Sequence, residues 1–204
     1  VGQLSTDEYY IALEKLGSCS KLSGRVTTAL ECTAVKEESS RMEGPPIGRT
    51  SIYVARKSDE YTIVVDTHGK LRWQADEADG HPLLCIVSEE VAEAYLETLR
   101  QQGISWIAAG KGLIDLPKAM EALSEHFGVK RLAIVGGGHI CGGFLEAGLI
   151  DEVSIMVAPG IDGRKGQTTV FDGIADTGCK PFRLKLESVE QWPTDIVWLR
   201  YKMK

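Results

Sequence analysis

Short apolar runs alternate with amphipathic segments through the middle of the chain. Runs of five or six mainly apolar residues predict buried strands, and they stand at YTIVVD (61–66), LLCIVS (83–88), ISWIAA (104–109) and RLAIV (131–135). The spacing of apolar residues between and after them predicts helices, among them one over 89–102 and one over 115–127. Strands that alternate with helices form βαβ units, so the pattern predicts an α/β fold with a mostly parallel sheet.

The two ends of the chain add further elements to this pattern. A helix is predicted over DEYYIALEKL (7–16), and SCSKLSG (18–24) is predicted to be a short strand followed by a helix. Residues 33–49 are polar and contain a proline pair, which predicts a flexible loop. Near the other end, DEVSIMVAP (151–159) is a predicted strand. The last 23 residues, 182–204, have the pattern of an antiparallel hairpin, so we expect a mixed sheet.

Composition and charge narrow the range of partners. The 204 residues suit a single domain, 1–204, with a sizeable core. The formal net charge of −6 argues against nucleic-acid binding, which needs a basic surface. No apolar run approaches the roughly 18 residues that span a bilayer, and the first residues lack signal-peptide features, so we expect no membrane contact and a cytoplasmic location. The four histidines and five cysteines show no paired metal-ligand spacing, so no metal site is predicted.

A run of three glycines, Gly136-Gly137-Gly138, follows one predicted strand and precedes a predicted helix. Glycines at such a point let backbone N–H groups approach an anion, and the start of a helix adds partial positive charge. The turn is therefore a candidate phosphate site. The alternative is a tight strand–helix turn that needs unusual backbone angles and binds nothing. The run differs from the usual dinucleotide fingerprint, because Cys141 stands where that pattern requires its last glycine.

A second cluster, Gly24-Arg25-Val26-Thr27, also follows a predicted strand and opens a predicted helix. Thr27 offers a hydroxyl group to a phosphate, and Arg25 offers a fixed positive charge. The planar guanidinium binds phosphate oxygens in a bidentate way, which suits the 2′-phosphate of a nucleotide. The alternative is a solvated arginine beside a threonine that caps the helix.

The two clusters and the segments around them resemble a known family. The stretch from Gly103 to Pro159, in which LAIVGGG and FLEAGLIDEVSI are the most specific parts, resembles the reductase domain of bacterial riboflavin biosynthesis, the RibD C-terminal family. SGRVTT and YTIVVDTHGKL resemble further family segments, and the resemblance covers roughly residues 6–203. It implies the three-layer α/β/α fold of the dihydrofolate reductases, NADPH as the hydride donor, and a homodimer.

The resemblance also implies roles for individual residues. It places Gly24, Arg25 and Thr27 near the cofactor phosphates, and it places Thr67 beside the adenosine half. The pyrophosphate is expected at the glycine turn, around Gly136, Gly137, Gly138, His139 and Ile140.

Glu8 is the candidate proton donor. In dihydrofolate reductases the acid lies on the helix ahead of the GRxT segment, and Glu8 occupies a comparable position in this chain. The alternative is that Glu8 is an acid in the first turn of a helix, where its charge favours the helix dipole.

Two departures from the family concern the substrate. Riboflavin-pathway enzymes usually carry a glutamate directly before the glycine run, where this chain has Val135. The family also usually opens with a strand that ends in a Ser-x-Asp-Gly motif, and this sequence begins after the place of that motif. The expected function is NADPH-dependent reduction of a pyrimidine- or pterin-like small molecule, resembling 5-amino-6-(5-phosphoribosylamino)uracil reductase. The alternatives are a non-catalytic NADP(H)-binding or sensing protein that has lost the substrate site, and a structural domain.

Overall fold

The structure is a computed structural model that describes residues 7–17, 19–33, 35–167, 169–175, 178 and 181–204. The helices in these residues are α1 (Asp7–Lys15), α2 (Arg25–Glu31), α3 (Glu93–Gln101), α4 (Leu116–Phe127) and α5 (Gly138–Glu146). The strands are β1 (Ser20–Gly24), β2 (Val35–Glu37), β3 (Ser51–Tyr53), β4 (Thr62–Val65), β5 (Leu71–Trp73), β6 (Glu77–Ala78), β7 (His81–Val87), β8 (Ser105–Ala108), β9 (Leu132–Gly136), β10 (Glu152–Val157), β11 (Leu184–Gln191) and β12 (Val197–Met203).

A seven-stranded central sheet has the order β3-β8-β7-β4-β1-β9, and β6 pairs with β7 beside this path. The five strands from β8 to β9 in this order are parallel, whereas β3 and β6 run antiparallel to their neighbours. The inner strands β4, β7 and β8 are almost wholly buried. Apolar side chains on both faces are typical of parallel strands covered by helices on both sides.

Two clusters of apolar side chains lie on opposite faces of the central sheet. Alternate residues of β4 and β7 belong to different clusters, since Val64 and Cys85 lie in one while Ile63 and Leu84 lie in the other. Helix α3 contributes Tyr95, Leu96 and Leu99 to the first cluster, and α4 with α5 contribute Ala119, Leu123, Phe127 and Phe144 to the second. The predicted α/β fold with three layers and a mainly parallel sheet is confirmed.

The predicted C-terminal hairpin is present as β11 and β12, but it lies outside the central sheet. Strand β12 pairs antiparallel with β10 on one side and with β11 on the other, in a separate three-stranded sheet that we call the C-terminal sheet. Six consecutive residue pairs join β10 to β12. The mixed character of the central sheet therefore comes from β3 and β6, not from the hairpin as the sequence suggested.

Two local expectations need correction. The segment 33–49, expected to be a flexible loop, contains β2, which pairs antiparallel with β5, and Ile47 N–H donates a hydrogen bond to the Val91 carbonyl (3.1 Å). The helix expected from residue 89 begins only at Glu93. Residues before it are held instead by neighbouring loops, because Glu89 N–H donates to the Gly110 carbonyl (2.8 Å). In the part of the chain that the structure describes, no helix is long and apolar enough to span a bilayer.

Candidate cofactor site

The two predicted phosphate clusters lie at the carboxyl ends of adjacent strands. Strand β1 ends at Gly24 and β9 ends at Gly136, and Ser23 is paired with Gly136 in the sheet. Helices α2 and α5 begin directly after these two ends. Ligands of open α/β sheets bind at this edge, so the fold brings the two clusters together where a nucleotide would be expected.

Close contacts join the clusters side by side. A Cβ atom added to Gly24 would lie 2.7 Å from Cγ1 of Ile140, so a larger residue at Gly24 would collide with the side chain at the start of α5. A Cβ atom added to Gly137 would lie 3.5 Å from Oγ1 of Thr27. The hydroxyl of Thr27 therefore faces the glycine turn, and Gly24, Thr27, Gly137 and Ile140 form one neighbourhood.

The glycine turn leaves the start of α5 without a side-chain cap. Gly136 has a φ of +127°, which favours glycine, and the peptide bond between Gly136 and Gly137 is cis. Gly137 occupies the N-cap position and has no side chain to accept a hydrogen bond from the first turn of the helix. The N–H groups of Ile140 (2.9 Å) and Cys141 (3.1 Å) donate to the Gly137 carbonyl, which leaves the N–H groups of Gly138 and His139, at the very start of the helix, without a partner within it. The turn thus has the features of an anion site.

Residues 169–173 cross α5 at Gly138 and Gly142, a contact that sequence reasoning missed. The Asp172 N–H donates a hydrogen bond to the Gly138 carbonyl (3.0 Å). A Cβ at Gly138 would collide with the Thr169 carbonyl oxygen, and one at Gly142 would collide with the Asp172 carbonyl oxygen. Close packing of this segment therefore gives Gly138 a structural reason to be glycine, beside its expected role at a pyrophosphate.

His139 lies beside the same crossing segment. Its Nε2 is 3.9 Å from Oδ2 of Asp172, and its side chain is 78% exposed. Since the imidazole is open to solvent, it is accessible to a ligand at the start of α5.

Arg25 is tied to an acidic residue that sequence reasoning did not single out. Its guanidinium forms an ion pair with the carboxylate of Glu37, at the end of β2. The buried Thr28 anchors the same helix, since its hydroxyl donates to the Gly24 carbonyl (3.1 Å) and shares a hydrogen bond with the Ser23 hydroxyl (2.8 Å). Hydroxyl residues at a strand–helix junction were visible in SGRVTT, but the partner acid lies across a loop.

A buried carboxylate fixes the turn that carries Thr67. Asp66 is fully buried and accepts hydrogen bonds from the N–H groups of Lys70 (3.0 Å) and Leu71 (2.8 Å) and from the Tyr95 hydroxyl (3.0 Å). Burial raises the pKa of Tyr95 well above its usual value, and the neighbouring Cys85 and Asp66 raise it further. Tyr95 is therefore a neutral donor. The signal in the sequence was an aspartate placed directly after a buried strand.

The Thr67 backbone is anchored to the next strand connection. Its carbonyl accepts hydrogen bonds from both the backbone N–H (3.0 Å) and the hydroxyl (2.8 Å) of Ser88. These bonds join the ends of β4 and β7 at the edge of the sheet where β1 also ends.

Two residues, Glu8 and Val135, bear on how a substrate would bind and react. Glu8 is the candidate proton donor, and Val135 stands where the family usually has a glutamate. Glu8 lies in the first turn of α1, and its Oε2 is buried with no hydrogen-bond partner among the described residues. Within the described ranges, no hydrogen bond or ion pair joins Glu8 to the glycine turn. Val135 is half-buried in β9 and brings no polar group to that turn. Among the described residues, no group of three His, Cys, Asp or Glu side chains is arranged to hold a metal ion.

Comparison with known proteins identifies the family. The model of the RibD C-terminal domain matches residues 28–198. The chain belongs to this family. The match begins just after Gly24–Thr27, so the family model does not include that cluster. Its assignment to the site depends on the contacts described above. The family resemblance read from the sequence is confirmed.

A curated relative of the family is the 2,5-diamino-6-ribosylamino-4(3H)-pyrimidinone 5′-phosphate reductase of Methanothermobacter thermautotrophicus. It is 30% identical over 147 residues, which cover 70% of this chain and 65% of that protein. The chain therefore matches less than two thirds of the length of this relative.

Two solved structures share the fold. The pyrimidine reductase-like protein of Corynebacterium diphtheriae superposes with a TM-score of 0.65 at 17% identity, covering 91% of this chain and 75% of that one. RibD of Acinetobacter baumannii superposes with a TM-score of 0.66 at 17% identity, covering 99% of this chain and 51% of that one. At such identities the likeness concerns the fold alone.

Proposed function

We propose that the chain is an NADPH-dependent reductase of a pyrimidine- or pterin-like small molecule. The observation that carries the proposal is the meeting of Gly24–Thr27 with the glycine turn at the carboxyl ends of β1 and β9. A phosphoribosylated aminopyrimidine is the first substrate to test, because the curated relative is named for such a compound. That name also favours an enzyme over a non-catalytic binding protein. A cytoplasmic location is part of the proposal.

The residues at this edge fit a dinucleotide. We assign the pyrophosphate to the N–H groups of the turn from Gly136 to Gly138, with His139 and Ile140 beside it, and to the Thr27 hydroxyl. Arg25 provides the positive charge for the adenosine side, and the turn that holds Thr67 borders it. The bound cofactor supplies the hydride, and the chain binds and orients it.

Glu8 is proposed as the residue that delivers a proton to the substrate. Its Oε2 is buried and has no hydrogen-bond partner among the described residues, so no other group competes for this atom there. Val135 brings no polar group to the substrate, so other groups must bind its polar edge.

NADPH binding is the first test of the proposal. A ligand that binds only the native state raises its stability, by about 2.7 kcal/mol at a concentration of 100 times Kd. We expect NADPH to raise the melting temperature. Thr27→Val should weaken NADPH binding about tenfold through loss of one hydrogen bond to phosphate. Thr98→Val is the matched control, since Thr98 is half-buried like Thr27 and its hydroxyl donates to the Ala94 carbonyl of its own helix, α3. An unchanged melting temperature at saturating NADPH would refute the cofactor site.

Turnover separates the enzyme from a binding protein. Oxidation of NADPH is followed at the nicotinamide absorbance band with a panel of aminopyrimidines and pteridines. We expect substrate-dependent oxidation, with a lower kcat for Glu8→Gln at unchanged NADPH affinity. Tight NADPH binding without oxidation by any compound of the panel would instead support the sensing protein.

A homodimer is also proposed, through one face of the C-terminal sheet. On this face the paired positions of β10, β12 and β11 form apolar rows. The rows are Val153, Tyr201 and Leu186, then Ile155, Leu199 and Val189. Leu186 and Val189 at its edge are 52% and 55% exposed. The opposite face contacts helix α1. Nζ of Lys15 lies 3.6 Å from Oε2 of Glu190 and 4.9 Å from the centre of the Trp192 ring.

The character of this face fits a second copy of the chain. It carries no charged side chain in these rows, so two molecules with a net charge of −6 can meet there without like charges in contact. Three strands of six, eight and seven residues give a footprint of roughly 340 Å², which is within the size range of functional apolar patches on monomers. Two sheets of this kind pack face to face at about 10 Å.

A further inference from the structure

At the proposed nucleotide site, the guanidinium of Arg25 is already paired with a carboxylate of the chain. Its Nη1 forms an ion pair with Oε1 of Glu37, and the two side chains are 30% and 35% exposed. The pair is therefore within reach of a ligand but only partly screened by water. A 2′-phosphate bound to Arg25 would have to compete with the carboxylate for the same donor groups.

Hydrogen bonds connect Glu37 to the turn beside the adenosine side of the site. Glu37 ends β2, and the N–H of the next residue, Glu38, donates to the Lys70 carbonyl (3.0 Å). The N–H of Lys70 in turn donates to the Asp66 carboxylate, which closes the turn containing Thr67. The backbone thus holds Glu37 next to the Thr67 turn, and the ion pair places Arg25 in the same neighbourhood.

We propose that Glu37 is a specificity-determining residue for the ribose 2′ position of the dinucleotide. Its carboxylate competes with a 2′-phosphate for Arg25 and repels the phosphate charge. It also accepts a hydrogen bond from a 2′-hydroxyl, as acids do in NAD-binding folds. The chain accordingly binds NADH as well as NADPH, with a weaker preference for NADPH than Arg25 alone would give. The inference rests on the proposed cofactor site.

The test compares ligands that differ at the 2′ position. Dissociation constants of 2′,5′-ADP, 5′-AMP, NADPH and NADH are measured by calorimetry on the full chain. Glu37→Gln keeps the size of the side chain and removes its charge. We expect it to raise the preference for 2′,5′-ADP over 5′-AMP, and for NADPH over NADH, about tenfold, which equals about 1.4 kcal/mol.

Two further variants make the test specific. Glu38→Gln changes the net charge equally, at an exposed residue whose side chain forms no ion pair in the described part of the chain, so its preference should stay within about twofold of the wild type. In an Arg25→Ala background, Glu37→Gln should no longer raise the preference, because the shared partner is gone. A structural defect would lower the affinity for both ligands of each pair together and leave the ratio of the two dissociation constants unchanged.

The other outcomes overturn the proposal in different ways. A lower NADPH preference in Glu37→Gln would mean that Glu37 orients Arg25 toward the phosphate. An unchanged ratio, or equal shifts in Glu37→Gln and Glu38→Gln, would also refute the role while leaving the cofactor site standing. If the wild type binds none of the four ligands, the cofactor site fails, and the role of Glu37 fails with it.

Discussion

Asp66 shows how a single buried side chain can fix a loop at the proposed site. It stands directly after β4, where the polypeptide leaves the sheet, and two backbone N–H groups and the Tyr95 hydroxyl donate to it. A carboxylate accepts all three bonds, whereas an amide places a donor where an acceptor is needed. The position of the Thr67 turn therefore depends on both carboxylate oxygens of this residue as acceptors, as well as on its size.

Asp66→Asn is expected to destabilise the protein by about 3 kcal/mol, because one of the two buried acceptor oxygens becomes an NH2 group that faces at least one donor. Urea unfolding followed by circular dichroism measures the change. Asp79→Asn is the matched control: that carboxylate is 67% exposed, and its contact with Lys21 is long (3.9 Å), so we expect a change within about 0.5 kcal/mol. Equal effects of the two substitutions would contradict the role given to Asp66.

At the scale of elements, helix α5 separates two uses of glycine. Its N-terminal end faces Gly24 and Thr27, whereas Gly138 and Gly142 lie four residues apart on the side crossed by residues 169–173. Residues at this spacing share one face of a helix. The glycine-rich sequence GGGHICGG thus serves both a proposed anion site and a close packing contact.

Gly142→Ala tests the packing contact against a neighbour in the same helix. Its new Cβ collides with the Asp172 backbone, and we expect a loss of roughly 1–3 kcal/mol, as for overpacking of a core. Gly143→Ala meets only Cδ1 of Leu116, at 3.7 Å, so we expect a gain of about 0.5–1 kcal/mol from helix propensity. Thermal and urea unfolding measure both. A Gly142→Ala protein as stable as Gly143→Ala would show that the segment does not pack there.

The sequence predicted elements where the signal is local and missed contacts between distant segments. The strand YTIVVD and the Asp115 cap of α4, whose carboxylate accepts from Lys118 N–H (3.1 Å), were predictable because each depends on a few neighbouring residues. Strand β2 has only three residues, too few for an alternating pattern. The crossing of α5 by Asp172 and the pairing of Arg25 with Glu37 join residues that no local spacing relates.

At the scale of the whole molecule, the hairpin was predictable but its sheet was not. Alternation over FRLKLESVEQ and DIVWLRYKMK predicts two paired strands, yet nothing local decides whether they extend the parallel sheet. That choice depends on β10, which pairs with β12 over its full length. The result is a second sheet with its own apolar face, and this face provides the proposed dimer surface.

Disruption of that face tests the assembly. Leu186→Lys places a charge on the exposed edge of an apolar row, and burying it unpaired in an interface is costly, so we expect the wild type to be a dimer and this variant a monomer by light scattering coupled to size exclusion. Leu113→Lys makes the same change at a leucine that is 81% exposed in a loop outside the sheet, and it should remain dimeric. Circular dichroism checks that both variants are folded. A monomeric wild type at micromolar concentration would exclude the dimer. A dimeric Leu186→Lys would place the interface elsewhere, since this variant differs from the wild type only on the proposed face.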